Sequence, residues 1–181
     1  MDTVLNISTA LLERTPNALD ALLLDLSDAL LLSNEGEGTW TVIDVVGHLI
    51  HADETDWVAR ANWIMEFGES RPFPPFDRDG HRHLTQGKSL RQLLDDFGNV
   101  RHEKLSKLRA MNLQPADLER RGQHPALGSV TLGQLLATWA AHDLNHLHQI
   151  SRIMAKQYRE TVGPWHKYLG VMHCNGHGVS S

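Results

Sequence analysis

Apolar residues recur every three or four positions in four long stretches of the chain, and polar, glycine- or proline-rich segments separate these stretches. This spacing predicts amphipathic helices, whereas the strict alternation typical of a half-buried strand is nearly absent. Each stretch opens on a helix-start signal, namely Thr15 with Pro16, Thr41 with Asp44, Ser89 with Gln92, and Thr131 with Gln134. We therefore predict a short opening helix over 3–14 and long helices over 17–33, 42–67, 90–111 and 132–160.

Two of the connections between these helices are long. Residues 68–88 contain three prolines and three glycines and cannot form a regular helix, and residues 112–130 form the second connection. Four long helices with long crossover connections predict an all-α fold, a four-helix bundle. We expect a single domain over 1–181, with a core of about 16–169 that ends in a short closing helix and a flexible tail over 170–181.

The last long helix carries histidines at a spacing that suits a metal ion. On a helical wheel, His146 lies within the apolar face, His142 lies at its border, and His148 points to the opposite side. Imidazoles four residues apart lie one turn apart on the same side of a helix, so both can reach one ion. The alternative is that both are core histidines satisfied by neighbouring hydrogen bonds.

A third ligand has to come from another helix, and the helix that opens at Thr41 offers His48 and His51. His48 lies at the edge of the apolar arc beside the small residues Ala52 and Ala59, where a neighbouring helix could approach. His51 lies further round, in a more exposed direction. The wheel favours His48 without excluding His51.

Composition restricts the kinds of partner. The formal net charge is -5 and no long run of either sign occurs, so the basic face typical of nucleic-acid binders is not expected. The apolar stretches are too short to span a membrane, and no secretory signal is recognised. The single cysteine cannot form an internal disulfide. These features predict a cytoplasmic protein with neither nucleic acid nor membrane as partner.

The motifs around these histidines resemble a known family. The segment WTVIDVVGHL followed by acidic residues, then TWAAHDLNHLHQI and VGPWHKYL, is similar in order to the DinB-like (DinB/YfiT) metal-binding superfamily, over about Pro16 to Leu169. The resemblance implies a four-helix bundle in which His48, His142 and His146 hold a divalent metal ion, nickel or zinc, with water completing the shell. It also implies a homodimer, and in some relatives a low-molecular-weight thiol as cosubstrate.

Asp143 lies near the centre of the apolar face of the last helix, where an unpaired carboxylate costs several kcal/mol. We expect either a role in supporting the metal ligands or a charge pair with an arginine such as Arg60. The alternative is that irregular packing exposes it.

Three functions are open. The first is a metal-dependent enzyme of the thiol (S-)transferase or isomerase type, for which Asp143, Glu54 and His51 are the candidate general bases. The second is a zincin-like hydrolase, because His142–His146 resembles H-E-x-x-H, although Asp143 replaces the glutamate and shortens its reach. The third is a non-catalytic module, either a metal-stabilised bundle or a small-molecule-binding protein of the stress response.

Other conspicuous residues are interpreted as structural or surface features. Four tryptophans at helical spacing are assigned to the core, and the charges of the third long helix, Arg101 included, to a solvated face. Two histidines of the first crossover could line a substrate entrance but more simply belong to an exposed loop. Three residues near the C-terminus could bind metal but more simply belong to the tail. These residues are Trp40, Trp57, Trp63 and Trp139, His81 and His83, and His173, Cys174 and His177.

Overall fold

The computed structural model describes residues 4–174, which are mainly helical. The α-helices are α1 (Val4–Leu12), α2 (Thr15–Leu23), α3 (Asp28–Leu31), α4 (Val42–Thr55), α5 (Trp57–Phe67), α6 (Arg82–Thr85), α7 (Leu90–Ala110) and α8 (Leu132–Lys156). Two strands, β1 (Arg121–His124) and β2 (Gly128–Thr131), pair antiparallel. Short 3₁₀ helices cover Pro115–Glu119, Gly163–Tyr168 and Gly170–Met172.

The helices form a four-helix bundle, as the hydrophobic pattern predicts. The first arm consists of α1 and α2, the second of α4 and α5, and the third and fourth of α7 and α8. In the bundle α1 packs on α8, α2 packs on α7, and α4 contacts both α7 and α8. The second and fourth arms therefore lie side by side, and this contact brings the predicted histidines of both arms together.

Three of the four predicted helix starts are confirmed. The Thr41 hydroxyl accepts a hydrogen bond from the backbone N–H of Asp44 at 3.1 Å, and the Asp44 carboxylate accepts one from the backbone N–H of Thr41 at 2.9 Å. Ser89 with Gln92 and Thr131 with Gln134 form the same reciprocal pair. Each pair satisfies backbone donors that the first turn of a helix leaves free, and so fixes where the helix begins.

The first arm differs from its prediction in two ways. Thr15 does not cap a helix, because it is itself the first residue of α2, which begins three residues after α1 ends at Leu12. The predicted helix over 17–33 also stops at Leu23, because Asp25 adopts a left-handed backbone with φ of 63°. The chain then forms only the single turn α3 before the loop that leads to Thr41.

The second arm is interrupted at one residue. The expected continuous helix over 42–67 breaks at Asp56, whose backbone angles of -110° and -72° separate α4 from α5. The carboxylate of Asp56 lies 2.5 Å from Nε of Arg60, one turn further along. The interruption therefore sits where an ion pair faces the neighbouring cleft, which is described below.

The second connection contains the hairpin, which the strand pattern does not reveal because each strand has four residues. Gly122 allows the hairpin to pack closely, since a Cβ there would lie 2.7 Å from the Ile64 side chain. The first crossover joins the hairpin through a hydrogen bond from the Phe73 N–H to the Gln123 carbonyl at 2.9 Å. The two long connections thus support each other on one side of the bundle.

Two clusters of buried apolar side chains form the core. One surrounds Trp139 and includes Trp57, Ile64 and Phe73, and the other surrounds Phe97 and includes Val45. Trp57 and Trp139 therefore belong to the core as predicted, and their rings stack with centroids 6.1 Å apart. None of the helices within residues 4–174 is both long and apolar enough to cross a membrane.

Candidate metal centre

Three histidines from two arms of the bundle meet at one point. His48 extends from α4, and His142 and His146 extend from successive turns of α8. The Nε2 atom of His142 lies 3.0 Å from Nε2 of His48 and 3.1 Å from Nε2 of His146. One ligand atom from each ring lies within 4.8 Å of the other two. The structure thus brings together the three histidines that the sequence selects.

This arrangement fits a divalent ion better than a hydrogen-bonded core cluster. Ligands about 2.0–2.1 Å from one ion, at octahedral to tetrahedral angles, stand about 3.0–3.4 Å apart. The buried Nδ1 atoms of His48 and His142 have no hydrogen-bond partner within residues 4–174, so neighbouring protein groups do not explain the position of these rings. Two of the three nitrogen pairs stand at about this distance and all three nitrogens lie within 4.8 Å of one another, so they form a donor set for a metal cation.

The environment keeps the three imidazoles neutral, as a metal ligand requires. Burial lowers the pKa of His48 to about 3, and the proximity of His146 lowers it further in the same direction. Burial also lowers the pKa of His142 well below its usual value, followed by the effects of His146 and His48. Burial lowers the pKa of His146 as well, although its hydrogen bond to Gln149 opposes this shift.

Gln149 orients one of the three rings. Its side-chain oxygen lies 2.8 Å from Nδ1 of His146, where it accepts the ring N–H, and it stands one turn after His146 on α8. A proton held on Nδ1 leaves the lone pair on Nε2, the atom that faces the other two histidines.

Replacing Gln149 with leucine is expected to weaken binding of Zn²⁺ by about 10–100-fold, because His146 loses the acceptor that fixes its tautomer. Gln149→Glu keeps an acceptor and should retain most of the affinity. Competition with a chromophoric zinc chelator measures both variants. Equal affinities for the leucine variant and the unmodified protein would show that this hydrogen bond does not support the site.

Asp143 forms a charge pair, but Arg60 is not its partner. Its carboxylate accepts hydrogen bonds from Arg101 at 2.6 and 3.0 Å, and Arg101 donates to Asp53 at 2.6 and 3.1 Å. The Trp139 N–H also donates to Asp53 at 3.0 Å. The prediction of a solvated Arg101 is wrong: its side chain is 2% exposed, between two carboxylates from different arms.

An open cleft of about 800 Å³ lies beside the three histidines. Helices α4 and α5 line one wall with His48, Asp56 and Arg60, and α8 lines another with His142 and His146. Trp40, from the loop before α4, packs against His48 with ring centroids 4.8 Å apart and planes tilted by 42°, and Phe76 of the first crossover lies 5.7 Å from the same ring. A small molecule can therefore approach the three histidines past apolar walls.

None of the three candidate general bases lines this cleft. Asp143 is bound to Arg101, Glu54 is exposed, and His51 is buried with Nε2 2.9 Å from the Asp77 carbonyl oxygen. The acidic residue that does line the cleft is Asp56. Burial raises the pKa of Asp56 to about 6, against the opposing effect of Arg60. The sequence contained a signal for it, because Asp56 lies two turns after His48 on the same helical face.

One of the two histidines of the first crossover differs from its prediction. His81 is fully buried, with Nδ1 2.9 Å from the Arg78 carbonyl oxygen, whereas His83 is exposed. Gly80 lies against the His51 ring, where a Cβ would stand 2.4 Å from Nε2. His51 and His81 thus anchor the crossover to the bundle, and this crossover supplies Phe76 to the cleft.

The C-terminal histidine and cysteine residues lie apart from the three-histidine cluster. His148 is exposed, as predicted, and its Nε2 lies 3.2 Å from the thiol sulfur of Cys174. His173 contacts the His166 carbonyl oxygen at 2.8 Å. His177, the third member of the possible tail cluster, lies outside the described residues.

Fold and site together define the class of metal-binding four-helix bundles. The chain belongs to the DinB superfamily, whose family model matches residues 11–150. The family expected from the histidine motifs is therefore confirmed.

Similar proteins carry related descriptions. A "putative metal-dependent hydrolase" from Oceanobacillus iheyensis is 25% identical over 146 residues, which cover 81% of this chain and 83% of the relative. A protein of the same description from Bacillus mycoides is 27% identical over 147 residues, covering 78% and 80% of the two chains. The structure of YfiT from Bacillus subtilis, described as "a probable metal-dependent hydrolase with an unusual four-helix bundle topology", gives a TM-score of 0.71 at 21% identity. That match covers 84% of this chain and 87% of YfiT. The fold is shared with YfiT, and the relatives and the histidine cluster support a metal-dependent protein.

Proposed function

We propose that this protein is an enzyme in which His48, His142 and His146 hold a divalent ion, zinc or nickel, that activates a small nucleophile. The observation that carries the proposal is the open cleft beside the three histidines. Three neutral ligands leave a first-row ion with room for further ligands, and a purely structural ion is usually enclosed by four protein ligands. An ion beside an open cleft suits a reaction more than a structural role.

When bound, the ion supplies Lewis-acid chemistry, since it lowers the pKa of a water or thiol that coordinates it. The residues of this chain provide the remaining parts. The histidines stay neutral, Gln149 orients His146, and Trp40 and Phe76 limit the access of water. Asp56 lines the same cleft, where it pairs with Arg60 and burial raises its pKa to about 6.

Two nucleophiles are consistent with this site. A low-molecular-weight thiol would make the protein a thiol (S-)transferase or isomerase, and an anionic thiolate suits an ion held by three uncharged ligands. Water would make it a hydrolase, which the descriptions of the two relatives favour.

Cobalt-substituted protein distinguishes the two. If a thiol is the nucleophile, adding 2-mercaptoethanol should produce a sulfur-to-cobalt charge-transfer band in the near ultraviolet, because the coordination shell has an open position. His48→Ala should lose the band, and His148→Ala, outside the cleft, should keep it. A spectrum unchanged at saturating thiol would reject thiol transfer and leave hydrolysis as the proposed reaction.

A further inference from the structure

One face of the second arm runs along the cleft away from the three histidines. His48, Ala52, Asp56 and Arg60 follow one another at intervals of four residues, and all four line the cleft. At about 1.5 Å per helical residue, Asp56 at the end of α4 lies on the order of 12 Å along the arm from His48, and Arg60 follows on α5 beyond the break at Asp56. Ala52 leaves space between the histidines and the ion pair. The cleft therefore has a reacting end and a second polar end.

Arg60 is held in place at this second end. Its Nε atom lies 2.5 Å from Asp56, and its guanidinium carbon stands 5.2 Å above the centre of the Phe73 ring. A guanidinium offers five N–H donors in a planar fork, and one carboxylate can take only two of them. The side chains of Arg60 and Asp56 are each 11% exposed, so little of the guanidinium contacts bulk solvent.

Trp57 lies three residues before Arg60 on α5 and offers a second donor to the same cleft. It lines the same cleft, its ring centroid lies 5.0 Å from that of His142, and its buried Nε1–H has no acceptor within residues 4–174. A buried donor without a partner costs about 1–3 kcal/mol. In contrast, the N–H of Trp139, which stacks against Trp57, is satisfied by Asp53. The Trp57 donor thus points to a missing acceptor.

The charge of the cleft has the sign that an anion requires. Its lining includes two guanidinium groups, those of Arg60 and Arg78, and one carboxylate, that of Asp56, although the whole chain carries a formal charge of -5. A divalent ion on the three neutral histidines adds to this positive charge. Confined low-dielectric walls strengthen the resulting field, which draws anions into the cleft.

We propose that Arg60 and Trp57 form an anion subsite, so that the substrate is a small molecule carrying a carboxylate or phosphate group away from its reacting atom. This inference rests on the proposed function for the identity of the cleft as an active site. Arg60 donates to the oxyanion with the N–H groups that Asp56 leaves free, and Trp57 donates its Nε1–H. The three histidines then face the other end of the same molecule.

Isothermal titration of the full-length protein with succinate and with inorganic phosphate tests the subsite, in the zinc-loaded form and after metal removal. At least one of the two anions should bind both forms. Arg60→Gln should weaken this binding roughly tenfold or more, since hydrogen bonds to charged groups contribute about 1.5–3 kcal/mol. Trp57→Phe keeps the ring and should also weaken binding roughly tenfold or more, because the lost N–H donates to a charged oxygen.

Matched controls separate this subsite from general surface charge. Arg91→Gln removes an exposed cation of α7, and Trp63→Phe removes an indole N–H that donates to the Arg71 carbonyl. Neither residue lines the cleft, so neither change should weaken anion binding. Asp56→Asn combined with Arg60→Gln leaves no unpaired buried charge and provides a folded substitute if Arg60→Gln is unstable.

The subsite would be overturned if Arg60→Gln, or the double variant, bound the anion as tightly as the unmodified protein does. An equal loss in Arg91→Gln, or binding of neither anion, would also overturn it. The titration of metal-free protein does not depend on the cobalt experiment, so a failure of anion binding to the metal-free protein counts against the subsite alone. Anion binding to the metal-free protein supports the subsite even if no nucleophile binds the metal.

Discussion

Replacing Arg101 with methionine is expected to lower the free energy of unfolding by about 3–5 kcal/mol, as for other buried ion pairs that lose one partner. Arg101 is the cation that pairs with both Asp53 and Asp143, and all three side chains are almost fully buried. Methionine fills a similar volume but leaves two carboxylates facing each other without a counter-charge. Urea denaturation followed by circular dichroism measures the loss.

The pH dependence of that loss identifies its cause. Burial raises the pKa of Asp53 to about 6, and Arg101 opposes this rise. Removing Arg101 therefore moves the pKa of Asp53 higher in the folded state, while the unfolded value stays near 4. A folded state that binds more protons gains stability as pH falls, so the defect should be smaller at pH 5 than at pH 8.

Arg109→Met is the matched control on the same helix. Arg109 forms an exposed ion pair with Glu13, and such pairs contribute about 0–1 kcal/mol. Replacing all three members of the buried cluster, with Asp53→Asn, Arg101→Met and Asp143→Asn, should recover part of the loss. If Arg101→Met lowers the free energy of unfolding no more than Arg109→Met does, the buried cluster does not stabilise the fold in the way its geometry implies.

The parts of the fold that local sequence determines were predictable. The three reciprocal caps at Thr41, Ser89 and Thr131 depend on residues three apart in the chain, so their pattern is visible before any tertiary contact forms. The pairing of His142 with His146 is local in the same sense. The choice of His48 needed more, since the wheel left His51 open and the family resemblance selected between them.

The buried charges were harder to predict, because their partners lie on other helices. Arg101 follows Phe97 by four residues and precedes Leu105 by four, so it lies in an apolar stripe of α7. That position indicates burial, but Arg101 was assigned to the solvated face together with the exposed charged residues near it on α7. Its pairing with Asp53 and Asp143 depends on how three arms align, which helical periodicity does not specify.

The cleft was not predictable for a related reason. Its walls come from α4, α5, α8 and the first crossover, and the crossover is held by contacts far apart in sequence, such as that of His51 with Asp77. The break at Asp56 is a single-residue change in backbone conformation. Neither feature follows from the spacing of apolar residues, although both determine which polar side chains line the cleft.

Replacing His146 with alanine is expected to abolish stoichiometric metal binding. His146 is the most constrained ligand, since it is buried, shares α8 with His142 and has its tautomer fixed by Gln149. Loss of a supporting hydrogen bond alone typically costs 10–100-fold in affinity, so loss of the ligand should cost more than about 100-fold. Alanine has high helix propensity, and the bundle should keep its helical circular dichroism spectrum.

His148→Ala is the matched control for this variant. His148 lies two residues further along the same helix, is exposed, and contacts Cys174 and not the cluster. Both variants remove one imidazole, so a metal bound at the protein surface would respond to both or to neither. A difference between them therefore identifies the cluster formed by His48, His142 and His146 as the binding site.

Elemental analysis by plasma emission, on protein purified without a metal-affinity tag and supplied with one divalent ion at a time, tests the metal centre most directly. A three-histidine centre predicts one equivalent of nickel or zinc in the unmodified protein and in His148→Ala, and no stoichiometric metal in His146→Ala. One full equivalent in His146→Ala would show that these histidines do not hold the metal.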